Sequence, residues 1–344
     1  MLAASADLTA DYDVALLDLD GVVYVGADAV PGVATALAAV RSRGMRLAYV
    51  TNNASRRPTE VAEMLSGMGV PADAADVVTS AQAAGHLLRE RLPPGSSVLI
   101  VGSEALADEV RAAGLVPVRT ATPLPAAVVQ GYTPDTGWRD LAEATIAVRG
   151  GALWVATNTD STLPSARGPL PGNGALVAAV RTATGGEPEV VGKPRPGLHR
   201  ESVERTGARR PLVVGDRLDT DIEGAVAAGA DSLLVLTGVT TVEQLIAAAE
   251  GQRPTYIAAG VAGLLQEHPP VTCQDTQATC GGFAARLDTD ALVLSGSGAD
   301  PVDALRALCE VSWCADPAVR PIVAEGEGAT AALQDLGVRT ASAA

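Results

Sequence analysis

The sequence predicts an α/β fold: a doubly wound, Rossmann-like parallel-sheet core with an inserted α/β cap and a small C-terminal α+β unit. Three observations carry this expectation. Short apolar runs rich in β-branched residues recur along the chain, helical patterns separate most of them, and Gly or Pro marks the junctions, as at "LPPG" and "GPLPGNG". At 344 residues the chain has room for two or three domains of roughly 100 to 200 residues each.

The first run, Val14 to Leu17 with Leu19 beyond it, reads as a buried strand. It leads into "DLDGVVY", which sets Asp18 and Asp20 at the carboxyl end of that strand. Side chains two apart on an extended segment share a face, and in open α/β sheets ligands sit beyond the carboxyl ends of the strands. The pair can therefore serve one reaction centre, with an acidic strand-to-turn junction as the structural alternative. Further strands are expected at "RLAYVTNN", "SSVLIVG", "AAVVQG", "ALWVATN", "PLVVGD" and "SLLVLTG", and helices over 33–42 and 57–67.

Three more strand ends carry unusual chemistry. "YVTNN" presents Thr51, Asn52 and Asn53, "VVGKP" presents Lys193, and "VVGDRLDTD" presents Asp216, Asp219 and Asp221. Each alone has a structural reading, as a helix cap, a solvated charge or a turn. Four such coincidences at strand ends of one sheet point instead to a site.

The composition narrows the partners. There are 25 basic against 40 acidic residues, a net charge of −15, which argues against nucleic acid or an anionic membrane, since both need a positive footprint. No run of ~18 apolar residues is present, and the first residues, "MLAASADLTADYD", are acidic where a signal peptide is basic. A cytoplasmic protein is expected, with a homo-oligomer left open.

The segment 81–188 has its own alternation of strand and helix and is expected to fold as a cap inserted into a catalytic core of 1–80 and 189–268. After "QEHPP" the rhythm changes to strand, strand, helix, strand, helix, so 269–344 is expected to be a separate, non-catalytic unit. Its helix over 301–314 and the later "GEGATAALQDLG" suggest a small acyltransferase-like fragment without a complete phosphate-cradling Gly loop. Cys273, Cys280, Cys309 and Cys314 all lie here. Their spacings fit zinc pairs poorly, and they are expected to be buried structural thiols.

The ordered set D-x-D-G, the Thr of "TNN", the Lys of "GKP" and "GDRLDTD" resembles the haloacid dehalogenase superfamily of aspartate-nucleophile phosphatases, over roughly residues 12 to 265. The long interval between the Thr and Lys motifs resembles the subgroup with a large α/β cap there. "ATNTD" and "GDRLDTDI" resemble its phosphoglycolate and glycerol 3-phosphate phosphatase branch. The resemblance implies Asp18 as nucleophile and Asp20 as general acid, then base. It implies Mg²⁺ held by Asp18, the backbone carbonyl of Asp20 and Asp216, with Asp221 orienting Lys193 or a bound water. Thr51 and the N–H of Asn52, placed where a helix begins, would cradle the phosphate beside Asn53, with Lys193 supplying positive charge. Asp160 resembles a cap position, and with Asn158 and Arg167 it is expected to face a small hydroxylated leaving group, although "TNTDS" can equally be read as a helix-capping cluster. Asp219 is left outside the catalytic set. The implied substrate is glycerol 3-phosphate or 2-phosphoglycolate. Alternatives are a phosphosugar, a nucleoside monophosphate or pyridoxal phosphate, a phosphotransferase or mutase reaction, or a catalytically silent regulatory or binding protein.

Overall fold

Val14–Leu17 is a strand buried at all four positions, as a strand covered on both faces must be. In the computed structural model it pairs in parallel with Pro211–Gly215, setting Leu16 opposite Val213. That strand pairs in parallel with Asp231–Val235, which pairs in parallel with Tyr256–Ala258. The structure describes residues 1–163, 167–274, 276–289, 291–315 and 319–338. Two compact units divide the chain: Met1–Leu47 with Arg209–Ala344, and Ala48–Ala208. The first of these units includes the C-terminal segment.

In that C-terminal segment a five-stranded sheet runs in the order Thr272–Gln274, Gln277–Cys280, Phe283–Asp288, Ala291–Gly296, Ile322–Glu325. The first four strands are antiparallel. The last is parallel to its neighbour, the helix Pro301–Cys314 lying between them in the chain. Four strands precede that helix where the sequence suggested two. The extra hairpin turns on Gly281 and Gly282, both at positive φ, the backbone a two-residue hairpin loop requires.

The helix Pro301–Cys314 starts as expected, with Pro in its first turn and the Asp300 side chain accepting the Val302 N–H at 2.9 Å. It is buried on every side from Val302 to Trp313. Leu305, Leu308 and Trp313 share one hydrophobic cluster with Leu234, Leu245, Ile246 and Ile257 of the α/β part. Polar contacts reinforce this packing. Arg306 donates to the Ile257 carbonyl at 2.6 Å and pairs with Asp303, and the Trp313 indole N–H donates to the Leu245 carbonyl at 3.1 Å. Only Cys280 and Cys309 are buried; Cys273 is half-buried and Cys314 exposed, so the expectation of four buried thiols holds for two.

The second unit carries a five-stranded parallel sheet in the order Glu189–Val190, Leu153–Ala156, Ala127–Gln130, Ser97–Val101, Val116–Val118. Its core joins Leu99, Val101, Val128 and Trp154 to Val177 and Val180 of the helix Asn173–Thr184. The parallel strands alternate with helices, as the sequence pattern required. Among the described residues no helix is long and apolar enough to cross a membrane.

Candidate active site

Two groups of predicted residues are assembled, one in each unit. In the first unit Asp18 directly follows the strand Val14–Leu17 and Asp216 follows Pro211–Gly215. The parallel pairing of these strands, continued by the Asp18 N–H bonding the Val214 carbonyl at 2.8 Å, sets both acids at one sheet end. Asp221 returns to them through a wide helical turn over Leu218–Ile222, in which the Asp221 and Ile222 N–H groups both reach the Arg217 carbonyl at 3.1 Å. Asp18, Asp216 and Asp221 each place a carboxylate oxygen within 4.8 Å of the others.

The surroundings of Asp216 explain the neighbouring glycines. A Cβ on Gly21 would stand 2.4 Å from its Oδ2, and one on Gly238 only 1.9 Å. Gly21 is also at φ +83°, where a side chain is strained. The Asp216 Oδ2 accepts the Val239 N–H at 2.7 Å, and Thr237 Oγ1 donates to the Gly21 carbonyl. Sequence reasoning missed Gly238 and Val239, whose signal was the "TGV" following the strand Asp231–Val235. Asp221 is anchored by the Arg217 N–H at 3.1 Å.

Asp20 lies in the compact turn that follows. Gly21 N–H bonds the Tyr24 carbonyl at 2.8 Å and the Tyr24 hydroxyl reaches Asp20 Oδ2 at 3.3 Å, while the carboxylate remains exposed. Asp219 points elsewhere: Arg217 binds both its oxygens, at 3.0 and 2.7 Å, and holds its carboxyl below the usual range.

In the second unit Thr51 ends the strand Arg46–Thr51, is buried, and accepts the Asn53 N–H at 3.1 Å. The helix expected at this point begins only at Pro58. The Thr51 and Asn52 groups therefore lie in a loop rather than at a helix N-terminus, because Asn53 Oδ1 turns the chain by accepting from Ser55 N and Oγ, each at 2.7 Å.

Asn52 is the hub of this group. Its Oδ1 accepts the Lys193 N–H at 2.8 Å, and its amide donates to the Lys193 carbonyl at 3.2 Å and to Asp160 at 3.3 Å. Asn158, which is buried, donates to the Asn52 carbonyl at 2.8 Å and accepts the Asp160 N–H at 3.2 Å. The side chains of Asn52 and Asn158 are thus engaged in joining three distant segments. "TNTDS" is followed by the short hairpin Thr162–Leu163 and Leu170–Pro171 rather than directly by a helix, and its Asp160 carbonyl accepts the Gly174 N–H in the first turn of the helix Asn173–Thr184 at 2.9 Å. Lys193 is 3% exposed, and Arg167 is exposed.

A second cluster in this unit, His86 with Glu201 and Glu204, reads as a polar side-chain network. Glu201 takes His86 Nδ1 at 2.7 Å and also pairs with Arg205, which already neutralises it.

Comparison with known proteins accords with this geometry. Residues 15–116 match the haloacid dehalogenase-like hydrolase family, 190–264 match a haloacid dehalogenase hydrolase-like family, and 280–338 match the GCN5-related N-acetyltransferase-like domain. The D-glycerol 3-phosphate phosphatase of Mycobacterium tuberculosis is 49% identical over 333 residues, 94% of either chain. An acid sugar phosphatase of Staphylococcus aureus is 37% identical over 68% of this chain and 90% of its own. The crystal structure of the M. tuberculosis glycerol phosphate phosphatase with magnesium is similar at a TM-score of 0.88 and 46% identity, covering 98% of this chain and 100% of that one. With the motif order, the carboxylate cluster and near-full-length similarity in agreement, the chain belongs to the haloacid dehalogenase-like hydrolase family.

Proposed function

We propose that this chain is a Mg²⁺-dependent phosphatase that hydrolyses D-glycerol 3-phosphate through an aspartyl-phosphate on Asp18. The observation that carries this reading is the Asp18, Asp216 and Asp221 cluster. Three carboxylates within 4.8 Å of one another make a concentrated anionic oxygen set of the kind that holds a divalent cation. The donors are hard oxygens of the type Mg²⁺ prefers, so Asp18 and Asp216 would hold the ion, with Asp221 orienting Lys193 or a bound water beside it. When bound, the ion neutralises phosphate charge and holds phosphate in line with the nucleophile.

The remaining steps belong to the chain. An Asp18 oxygen attacks phosphorus while the bond to the leaving oxygen breaks, and Asp20 gives that oxygen its proton. Asp20 then takes a proton from water, the water oxygen attacks phosphorus, and Asp18 is released. Its exposure and its hydrogen bond to Tyr24 suit a carboxyl that must exchange protons. We assign the Asp20 backbone carbonyl to the ion, and Thr51, the Asn52 N–H, Asn53 and Lys193 to phosphate. Asn52 and Asn158, their side chains already bonded, act by positioning Lys193 and Asp160. Asp160 favours glycerol 3-phosphate over 2-phosphoglycolate, since a carboxylate bonds hydroxyl groups and repels a second carboxylate.

The division of labour we infer is a core of 1–80 and 189–268, a cap of 81–188 and a non-catalytic 269–344, in the cytoplasm. The turn entering Pro301–Cys314 supports the last assignment. A Cβ on Gly298 would meet the Gly281 carbonyl at 2.2 Å and one on Gly282 the Ser297 carbonyl at 2.4 Å, so backbone fills the space an anion would need, and Arg306, the cation nearest this turn on the helix, is already paired with Asp303. The test is phosphate release by the purified chain from D-glycerol 3-phosphate, 2-phosphoglycolate and a phosphosugar, with Mg²⁺ or with excess chelator. Mg²⁺-dependent turnover with D-glycerol 3-phosphate preferred is expected; no turnover of any of them would leave the silent binding protein instead.

A further inference from the structure

We propose that Cys273 and Cys314 are a covalent modification site, an intramolecular thiol pair that small disulfides of the glutathione class close into a disulfide bond. Their Sγ atoms lie 3.1 Å apart although the residues are 41 positions apart in sequence. Bond formation needs the sulfurs to approach by only about 1 Å further. Cys273 sits on the edge strand Thr272–Gln274 and Cys314 is the last residue of the helix Pro301–Cys314.

Access selects this pair. Cys314 is exposed and Cys273 half-buried, so a small oxidant meets Cys314 first and finds its neighbour in reach. Cys280 is buried 3.5 Å from an Asp303 oxygen, and burial with that neighbouring charge pushes its thiol up to about 12. Cys309 is fully buried and its thiol is likewise raised. Both are poor nucleophiles. The bond would tie an edge strand to the helix end beside Trp313, the residue that bonds the Leu245 carbonyl.

The exchange balances with a disulfide RSSR. Cys314 thiolate attacks one sulfur of RSSR, giving Cys314–S–S–R and one RS⁻, which takes the proton Cys314 lost. Cys273 thiolate then attacks the Cys314 sulfur, giving Cys273–S–S–Cys314 and a second RS⁻, protonated in turn. The protein loses two electrons and two protons, and RSSR becomes two RSH.

The experiment treats the full-length folded chain with oxidised glutathione, removes the excess, and measures intact mass and thiols under denaturing conditions. The expected result is a loss of about 2 Da, a fall from four titratable thiols to two, and reversal by dithiothreitol. Cys273→Ser should stop at a glutathione adduct on Cys314, and Cys314→Ser should lose no 2 Da. Four remaining thiols in the wild type, glutathione adducts without internal closure, disulfide-linked dimers, or a 2 Da loss in either variant would overturn the assignment. Cys314 is exposed and Cys273 packs only against the margin of the hydrophobic cluster; Ser is close to Cys in size, and an unchanged far-UV circular dichroism spectrum confirms that each variant is folded.

Discussion

Replacing Gly238 by Ala tests whether the acidic cluster depends on the backbone around it. The new methyl would stand 1.9 Å from Asp216 Oδ2 and 2.4 Å from its Cγ, whereas unstrained contact needs roughly 3.5 Å. The carboxylate must therefore retreat by roughly 1.5 Å. It is hemmed in, because its Oδ2 already holds the Val239 N–H at 2.7 Å and Gly21 crowds the same oxygen. Displacement by about 1 Å costs ~10²-fold when it spoils the reacting geometry, equivalent to about 2.7 kcal/mol of barrier. Overpacking should cost the fold about 1–3 kcal/mol, which leaves the protein assayable. Phosphate release across a Mg²⁺ titration should show kcat/KM down ~10²-fold and a raised half-saturating Mg²⁺ concentration. Gly251→Ala is the control, since a Cβ there meets nothing within 4 Å. If Gly238→Ala kept wild-type kcat/KM and Mg²⁺ dependence, Asp216 would not be a metal ligand and the cluster reading would fall.

Asp18→Asn should abolish turnover with the melting profile retained, and Asp20→Asn should lose about 10² to 10⁴ in rate; near-wild-type turnover by the first removes the nucleophile assignment. Asp160→Ala should reorder D-glycerol 3-phosphate, 2-phosphoglycolate and phosphosugar more than it lowers the best rate, and an unchanged ranking in steady-state kinetics counts against its role. His268 is held below its ordinary pKa first by burial and then by Arg306, against the opposing Gly263 carbonyl, Asp300 and Asp303. The unfolded chain takes up a proton near pH 6.5 that the fold refuses, so this contribution is whole above that pH and is lost as pH falls through the depressed value. His268→Gln should flatten the decline of Tm below about pH 6.5, and an equal decline would show that His268 is not responsible. Ending the chain at Gln266 exposes Leu245, Ile246 and Ile257, each burial being worth about 1.5–3 kcal/mol; a clear loss of Tm is expected by circular dichroism, and an undiminished Tm would contradict the packing.

The core strands and helices were legible because their burial follows from local composition. The run Val14 to Leu17 and the helices Val33–Ser42 and Pro301–Cys314 stand where periodicity put them. Asp18 and Asp216 were legible because acids at buried strand ends serve no packing purpose. What escaped notice depended on tertiary contact. Gly238 matters only because Asp216 arrives from another strand, and the Asn52 hub exists only because Asp160 and Lys193, 108 and 141 residues away, converge on one amide. The strands Thr272–Gln274 and Gln277–Cys280 are only three and four residues long, and the buried positions of the second are the small Ala278 and Cys280, so their alternation is too brief to stand out. Thr and Asn after a strand resemble helix N-caps, yet here Asn53 spends its side chain on Ser55 two residues on.

The C-terminal segment has its own sheet, and the polar groups buried on its long helix tie it to the α/β part of the same unit. An Arg, a Glu or an indole N–H taken out of water destabilises a fold unless it finds a partner. Arg306 finds the Ile257 carbonyl and Asp303, and Glu310 takes the Leu2 N–H. Trp313 finds the Leu245 carbonyl, with the Arg253 guanidinium 5.6 Å above its ring. Three of these partners, Ile257, Leu245 and Leu2, belong to the α/β part of the same unit. A helix meant to bind an external anion would keep its buried cation for that ligand. Here Arg306 is bonded on both sides, so the helix is committed to docking, and the segment extends the core of the unit that carries Asp18, Asp216 and Asp221.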